Sequence, residues 1–313
     1  MKSTSTYHKF LIVIIIAIII YSTFLLISDF NKIYDKISEF NIFYLPLILG
    51  IIFASWLVLF VRWSILLKNL HISIPIKSNL IIFLASFSLS ATPGQLGELI
   101  KSKLLKDRFD VPVSKTAPLV FVERLYDLIG AIVVSIFGIW YLENGFIIIG
   151  IMTSFIIFIF YILHSKYFFD KISKILFNIK FIRNKLGDSS NTFDVINPSI
   201  KGKLLATCSL LSISYWFLIG CAAYLVLLSF NVHEIQLLNM ISIYSSSLII
   251  GAISFIPGGV GITEGSIAGL LTLGGVELPV ALVLGVMIRI FTLWFGVIIG
   301  FIFLKLSGGL AKT

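Results

Sequence analysis

Charge is scarce in this chain. Asp, Glu, Lys and Arg together make up 12% of its 313 residues, about half the share of an ordinary soluble domain. A soluble core of this size needs far more polar skin than that. The same scarcity excludes intrinsic disorder, which rests on a polar, charge-rich composition. Cysteine is almost absent: Cys208 and Cys221 lie in one apolar stretch, which offers packing residues and no disulfide framework. The four histidines, His8, His71, His164 and His233, have no spacing that binds a metal from one helix. No Walker loop, dinucleotide fingerprint or nucleophile elbow occurs, so the chain reads as no enzyme, with no cofactor and no metal. What is abundant is hydrophobic surface, at 58% of residues. The chain reads as an all-α integral membrane protein. Its net charge of +9 is then a signal of topology and gives no reason to expect a nucleic-acid partner.

Six apolar runs are long enough to span a bilayer at about 1.5 Å per residue: 10–27, 42–67, 116–141, 145–164, 204–228 and 278–304. The first is read as an uncleaved N-terminal anchor helix. Two further segments are interrupted. Asn79 to Thr92 is too short to span and ends in Pro93-Gly94-Gln95-Leu96-Gly97-Glu98. Residues 236–274 make two half-spans around Pro257-Gly258-Gly259-Val260-Gly261-Ile262-Thr263-Glu264. Proline removes a backbone donor and glycine tolerates left-handed geometry, so both sites should break a helix inside the membrane. The expected architecture is six full transmembrane helices plus two re-entrant or broken helical segments.

With a cytoplasmic N-terminus and both broken segments returning to their own side, the basic residues sort cleanly. Of the 24 Lys and Arg, all but Lys32, Lys36, Arg124 and Arg289 fall on the cytoplasmic side, Arg62 and Lys101 among them. The positive-inside rule favours this arrangement, with both termini cytoplasmic in a multi-pass protein of the cell membrane. The loop 165–203, with eight basic and three acidic residues, is read as a solvated, topology-setting segment. Asp107-Arg108-Phe109-Asp110 is likewise read as a solvated loop.

The two breaks match each other. Pro93, Gly94 and Gly97 recur as Pro257, Gly258 and Gly261 at one offset of 164, and Arg124 recurs as Arg289 one residue further on. Residues 42–141 and 204–304 therefore form two units of span, broken segment and span. Between them lie a linking helix, 145–164, and the basic loop. The topology above enters the two units from opposite sides, which makes them inverted repeats within a single membrane domain, 1–313.

Intramembrane charge costs about 2.5–3.5 kcal/mol per residue on the lenient scale, so ionisable residues there mark function or pairing. Six qualify: Glu98, Glu123, Arg124, Asp127, Glu264 and Arg289, two cations against four acids. Arg124 is three residues from Asp127 and can reach it. Glu123 lies only about 10 Å in from position 116, near the interface, whereas Arg289 reads as close to mid-bilayer. Its partner must come from another helix, with Glu98 and Glu264 the candidates. After each break a half-helix should present free N–H groups and a positive dipole end, which suits a phosphate or carboxylate. Glu98 and Glu264 sit in that first turn, where an acid also serves as a cap.

The run Thr92-Pro93-Gly94-Gln95-Leu96-Gly97-Glu98 with Lys101, the run Glu123-Arg124-Leu125-Tyr126-Asp127, and Pro257 through Glu264, in that order, resemble the lysylphosphatidylglycerol synthase transmembrane-region family, also called UPF0104. The chain looks like the flippase half of the multiple peptide resistance factor. The resemblance implies transbilayer movement of a lipid without ATPase activity, and the spans leave no room for a synthase half. An aminoacyl-phospholipid and a polyprenyl-phosphate-linked sugar are equal candidates for the lipid. A lipid-modifying enzyme or a glycosyltransferase is the implied partner. On this reading Arg124, Arg289 and the two half-helix ends, with Gly259 among the break residues, receive the lipid phosphate, while the four acids offset the cations. Two other readings remain open: a secondary transporter of a small anion, and a non-transporting membrane partner of a polyprenyl-phosphate glycosyltransferase.

Overall fold

The computed structural model of the chain describes residues 37–92, 97–136, 145–176 and 189–308, and all regular structure among them is helical. The expected anchor helix 10–27, the break residues Pro93 and Gly94, part of the basic loop and both termini lie outside the described residues. Among the described residues, three helical stretches are long and apolar enough to cross a membrane: Ile42–Asn69, Gly202–Ser229 and Leu278–Leu306. Large apolar side chains such as Phe43, Phe53, Leu210, Phe217, Ile298 and Ile302 are exposed on these three stretches. That outward apolar surface suits lipid and not water.

After a 3-10 turn at Ile42–Tyr44, α1 (Leu45–Asn69) opens with Pro46 in its first turn, where a missing N–H costs nothing. α2 (Ile76–Ser86) runs into a second 3-10 turn, Phe87–Leu89, and stops. α3 (Ile100–Phe109) follows the first break and ends at Asp110, whose φ of 54° is the left-handed conformation that Asp tolerates. α4 (Val113–Ser135) completes the first series. The expected loop at 107–110 is therefore mostly helix, and Arg108 donates to the carbonyl of Ser307 at the far end of the chain.

Next come α5 (Gly145–His164), α6 (Lys166–Leu176) and α7 (Ser189–Ser199). The region expected as a solvated basic loop thus includes two helices, and Phe169 of α6 packs against Phe193 of α7 at 5.2 Å.

A second series of helices follows. α8 (Gly202–Ser229) has span length, and α9 (Leu237–Ile253) is a shorter apolar helix. The chain then breaks where expected, with Phe255, Gly258, Gly259 and Gly261 all at positive φ. Pro257 opens a 3-10 turn across Gly258 and Gly259. α10 (Ile262–Leu273) resumes the helix, and α11 (Leu278–Arg289) continues through a π-helical turn, Ile290–Trp294, into α12 (Phe295–Leu306). A π turn widens one turn of a helix and often occurs beside a functional site. Here it starts at the residue after Arg289.

The two series pack crosswise. α8 lies against α1, α4 and α9; α12 covers α2, and α9 covers α4. The Ser242 hydroxyl of α9 donates to the Ser135 carbonyl of α4 at 2.5 Å. Trp56 of α1 stacks on Phe295 of α12 at 5.3 Å and meets Phe87 at 5.2 Å. The breaks adjoin as well: a Cβ on Gly258 would stand 3.5 Å from the Ala91 Cα. Closest of all, a Cβ on Gly300 of α12 would collide with the backbone of Phe87 and Ser88. Gly300→Val is therefore expected to destabilise the protein by about 1–3 kcal/mol or more through overpacking. Thermal unfolding in detergent micelles checks this.

Candidate functional site

The first break brings three elements together. α1 contributes Arg62, the start of α3 contributes Glu98 and Lys101, and one face of α4 contributes Glu123, Arg124 and Asp127. Glu123 and Asp127 are one helical turn apart, so both reach the same neighbours. Arg62 Nη1 donates to Asp127 Oδ1 at 2.5 Å, and Asp127 Oδ2 lies 3.1 Å from Arg124 Nη2. Arg124 Nη2 also donates to Glu98 Oε2 at 3.1 Å, and Glu98 Oε2 lies 3.6 Å from Lys101 Nζ. Lys101 binds Glu123 closely, and Glu123 Oε1 returns to Arg62 Nη2 at 4.0 Å.

The six groups thus form a closed ring of alternating sign: Arg62, Asp127, Arg124, Glu98, Lys101, Glu123. Each ion faces two of the opposite sign, and the ring is neutral. Burial demands this, because an unpaired ion away from water costs several kcal/mol. Other groups complete the shell. Arg62 donates to the Ser212 hydroxyl at 2.6 Å, and the Lys101 ammonium sits 4.4 Å above the Trp63 ring in a cation–π contact.

Exposure is uneven around the ring. Arg62, Lys101 and Glu123 are at most 1% exposed, whereas the Arg124 side chain is 27% exposed and that of Asp127 is 13%. The Nε atoms of both Arg62 and Arg124 are buried without a hydrogen-bond partner, so exposure alone sets Arg124 apart. A ligand reaching the ring meets Arg124 first.

The second break holds a smaller version. Arg289 Nε donates to Glu264 Oε1 at 3.1 Å, and Arg289 Nη2 donates to the Gly258 carbonyl inside the break. Glu264 Oε2 accepts from the Gly261 N–H at 2.6 Å, so this acid both caps α10 and pairs with arginine. At the first break those tasks are divided. Thr92 Oγ1 accepts from the Gly97 N–H at 2.6 Å, leaving Glu98 to its cations. Arg124 lies eleven residues after Val113 and Arg289 eleven after Leu278, each about 16 Å along its helix. The two arginines therefore sit at equal positions.

The structure brings Glu98, Glu123, Arg124 and Asp127 into one site, and Gly258, Gly261, Glu264 and Arg289 into the other, with Pro257 and Gly259 in the turn between. Of the two candidate partners for Arg289, the one it meets is Glu264. The supposed imbalance of two cations against four acids is corrected to four against four, because Arg62 and Lys101 are buried in the ring. Helix-on-helix packing of α1 and α3 against α4 places them there. The charge deficit itself was the signal: two surplus acids require two more cations, and Lys101 lies one turn from Glu98.

Residues 12–300 match the family described as Lysylphosphatidylglycerol synthase TM region. A UPF0104 membrane protein of Methanocaldococcus jannaschii is 28% identical over 216 residues, covering 67% of this chain and 90% of that protein. The three motifs that carry the ring and the second break all lie within the family match, and the chain belongs to the lysylphosphatidylglycerol synthase transmembrane-region family.

Proposed function

We propose that the chain is a flippase-like membrane protein, moving a lipid with a phosphate-containing headgroup across the bilayer without catalysis and without ATP. The observation that carries this reading is the uneven exposure of the charged ring. Arg62, Lys101, Glu123 and Glu98 are held by their neighbours at low exposure, while Arg124 has the most exposed side chain of the ring and a guanidinium fork suited to a phosphate. In this reading the headgroup seats on Arg124. Asp127, Glu98 and Glu123 keep the remaining cations neutral, and the acyl or prenyl chains stay in lipid. Arg289 and Glu264 hold the second break in shape. Gly97, Pro257, Gly258, Gly259 and Gly261 supply the irregular backbone past which the headgroup travels.

The reading includes six crossings, two re-entrant segments and two inverted repeats in the cell membrane, with both termini cytoplasmic. It is supported by the repeated order of elements, the equal positions of Arg124 and Arg289, and the crosswise packing of α12 on α2 and α9 on α4. The lipid is an aminoacyl-phospholipid or a polyprenyl-phosphate-linked sugar, supplied by the enzyme or glycosyltransferase that makes it.

Reconstitution into liposomes with labelled lipids of both kinds tests the proposal. The wild-type protein should move at least one of them between leaflets. Arg124→Gln, which leaves Asp127 its Arg62 contact, should slow that movement by about tenfold or more, as expected for a lost charge-assisted phosphate contact of about 1.5–3 kcal/mol. Movement at the wild-type rate would remove Arg124 from the path.

A further inference from the structure

The closed ring has a consequence for charge balance, which rests on the transport reading above. In the resting ring three cations meet three acids, and every ion is compensated twice. A phosphodiester that takes Arg124 opens the ring at that point. What remains is a chain in the order Asp127, Arg62, Glu123, Lys101, Glu98, with three acids and two cations. The surplus negative charge falls on the two ends, each of which has lost one of its partners.

The ends are not equivalent. Asp127 keeps Arg62 at 2.5 Å. Glu98 keeps only Lys101 at 3.6 Å, and that ammonium is bound more closely by Glu123. The surroundings of Glu98 offer nothing to replace Arg124. From α3 it faces Lys101; from α4, Arg124 and, through Lys101, Glu123; from α8, Tyr215, which carries no positive charge. α2 presents the Phe83 ring to Lys101, and its lysine, Lys77, is at the opposite end of that helix. Leaving a carboxylate at 5% exposure without its cation costs several kcal/mol. One positive charge must therefore enter with the phosphate. A metal ion needs a shell of several oxygen ligands, and the two freed carboxylates remain engaged by Arg62 and Lys101. A proton needs a single oxygen.

We propose that each phosphodiester headgroup seated on Arg124 without an ammonium of its own brings one proton with it, and that Glu98 carries this proton. The proton comes from water on the side where the lipid enters, bonds to a Glu98 carboxylate oxygen, and leaves on the other side when Arg124 returns to Glu98. One negative and one positive charge cross together, so the step is electroneutral.

The test uses the full chain in phosphatidylcholine vesicles with a trace of acyl-labelled phosphatidylglycerol, whose headgroup has one phosphate and no amine. A pH-sensitive dye is sealed inside, and valinomycin with equal potassium holds the voltage at zero. Above the background of protein-free vesicles, inward movement of the lipid should acidify the lumen by about one proton per lipid, as neutrality of a buried site requires. An acid exterior should speed it several-fold. In Glu98→Gln the translocation that remains should carry no proton and show no response to the gradient. Lipid movement by the wild-type protein without lumen acidification, at a rate indifferent to the gradient, would overturn the coupling and leave the transport reading standing. So would an unchanged proton-to-lipid ratio in Glu98→Gln. No movement by the wild-type protein of phosphatidylglycerol, of an aminoacyl-phospholipid or of a polyprenyl-phosphate-linked sugar would overturn both.

Discussion

Replacing Arg62 with methionine is expected to destabilise the protein by about 3–5 kcal/mol, the cost of breaking a buried ion pair from one side. Methionine fills much of the same volume, so the loss is electrostatic and not a cavity effect. Without Arg62, Asp127 keeps a single cation on the exposed side of the ring and Glu123 relies on Lys101 alone. The Ser212 hydroxyl also loses its donor. Arg62→Lys should recover part of the loss, because the charge returns but the fork that reaches Asp127, Glu123 and Ser212 together does not. Thermal unfolding of detergent-purified protein measures all three forms. Arg62→Met with wild-type stability would mean that the ring does not hold α1 to α4.

Arg289→Met should be similarly damaging, at about 3–5 kcal/mol, because Glu264 at 1% exposure loses its arginine. The Gly258 carbonyl loses its donor in the same change, so the second break loses the contact that ties it to α11. The double variant Arg289→Met/Glu264→Gln is expected to be more stable than Arg289→Met alone. Glutamine still accepts from the Gly261 N–H through its amide oxygen, and no buried charge remains. The pair should thus show strong non-additivity in a double-mutant cycle. Simple addition of the two single losses would mean that Arg289 and Glu264 stabilise the fold separately.

Much of this architecture is legible in the order of the residues. Apolar runs at 42–67, 204–228 and 278–304 announce the three span-length helices, and Pro257 with its glycines announces the second break within a residue or two. The relation of Arg124 to Arg289, whose offsets from the proline breaks differ by one residue, appears as equal positions along α4 and α11. The two missing members of the ring were hidden by a rule that is right on average. Counting basic residues at the ends of apolar runs assigns Arg62 and Lys101 to the cytoplasm. Yet Arg62 lies seven residues inside the end of α1, and Lys101 lies on the first turn of α3, turned toward α4. Which face of a helix meets which neighbour is a tertiary fact, and helical spacing within one segment cannot supply it. The same holds for Arg108, whose contact with Ser307 joins residues 199 apart in sequence.

The ring also shows how a bilayer protein holds ions without exposing them to lipid. Alternation around a closed loop gives each ion two opposite neighbours at the expense of only one accessible edge. That edge carries Arg124 and Asp127, and the proposed headgroup seat lies there.

The measurement that tests this placement most directly is the lipid retained by purified protein, read by native mass spectrometry for the wild type and for Arg124→Gln. The account predicts a phosphate-bearing lipid bound to the wild type and lost from Arg124→Gln, with both forms folded by thermal unfolding. Equal retention of the same lipid by the two forms would contradict it.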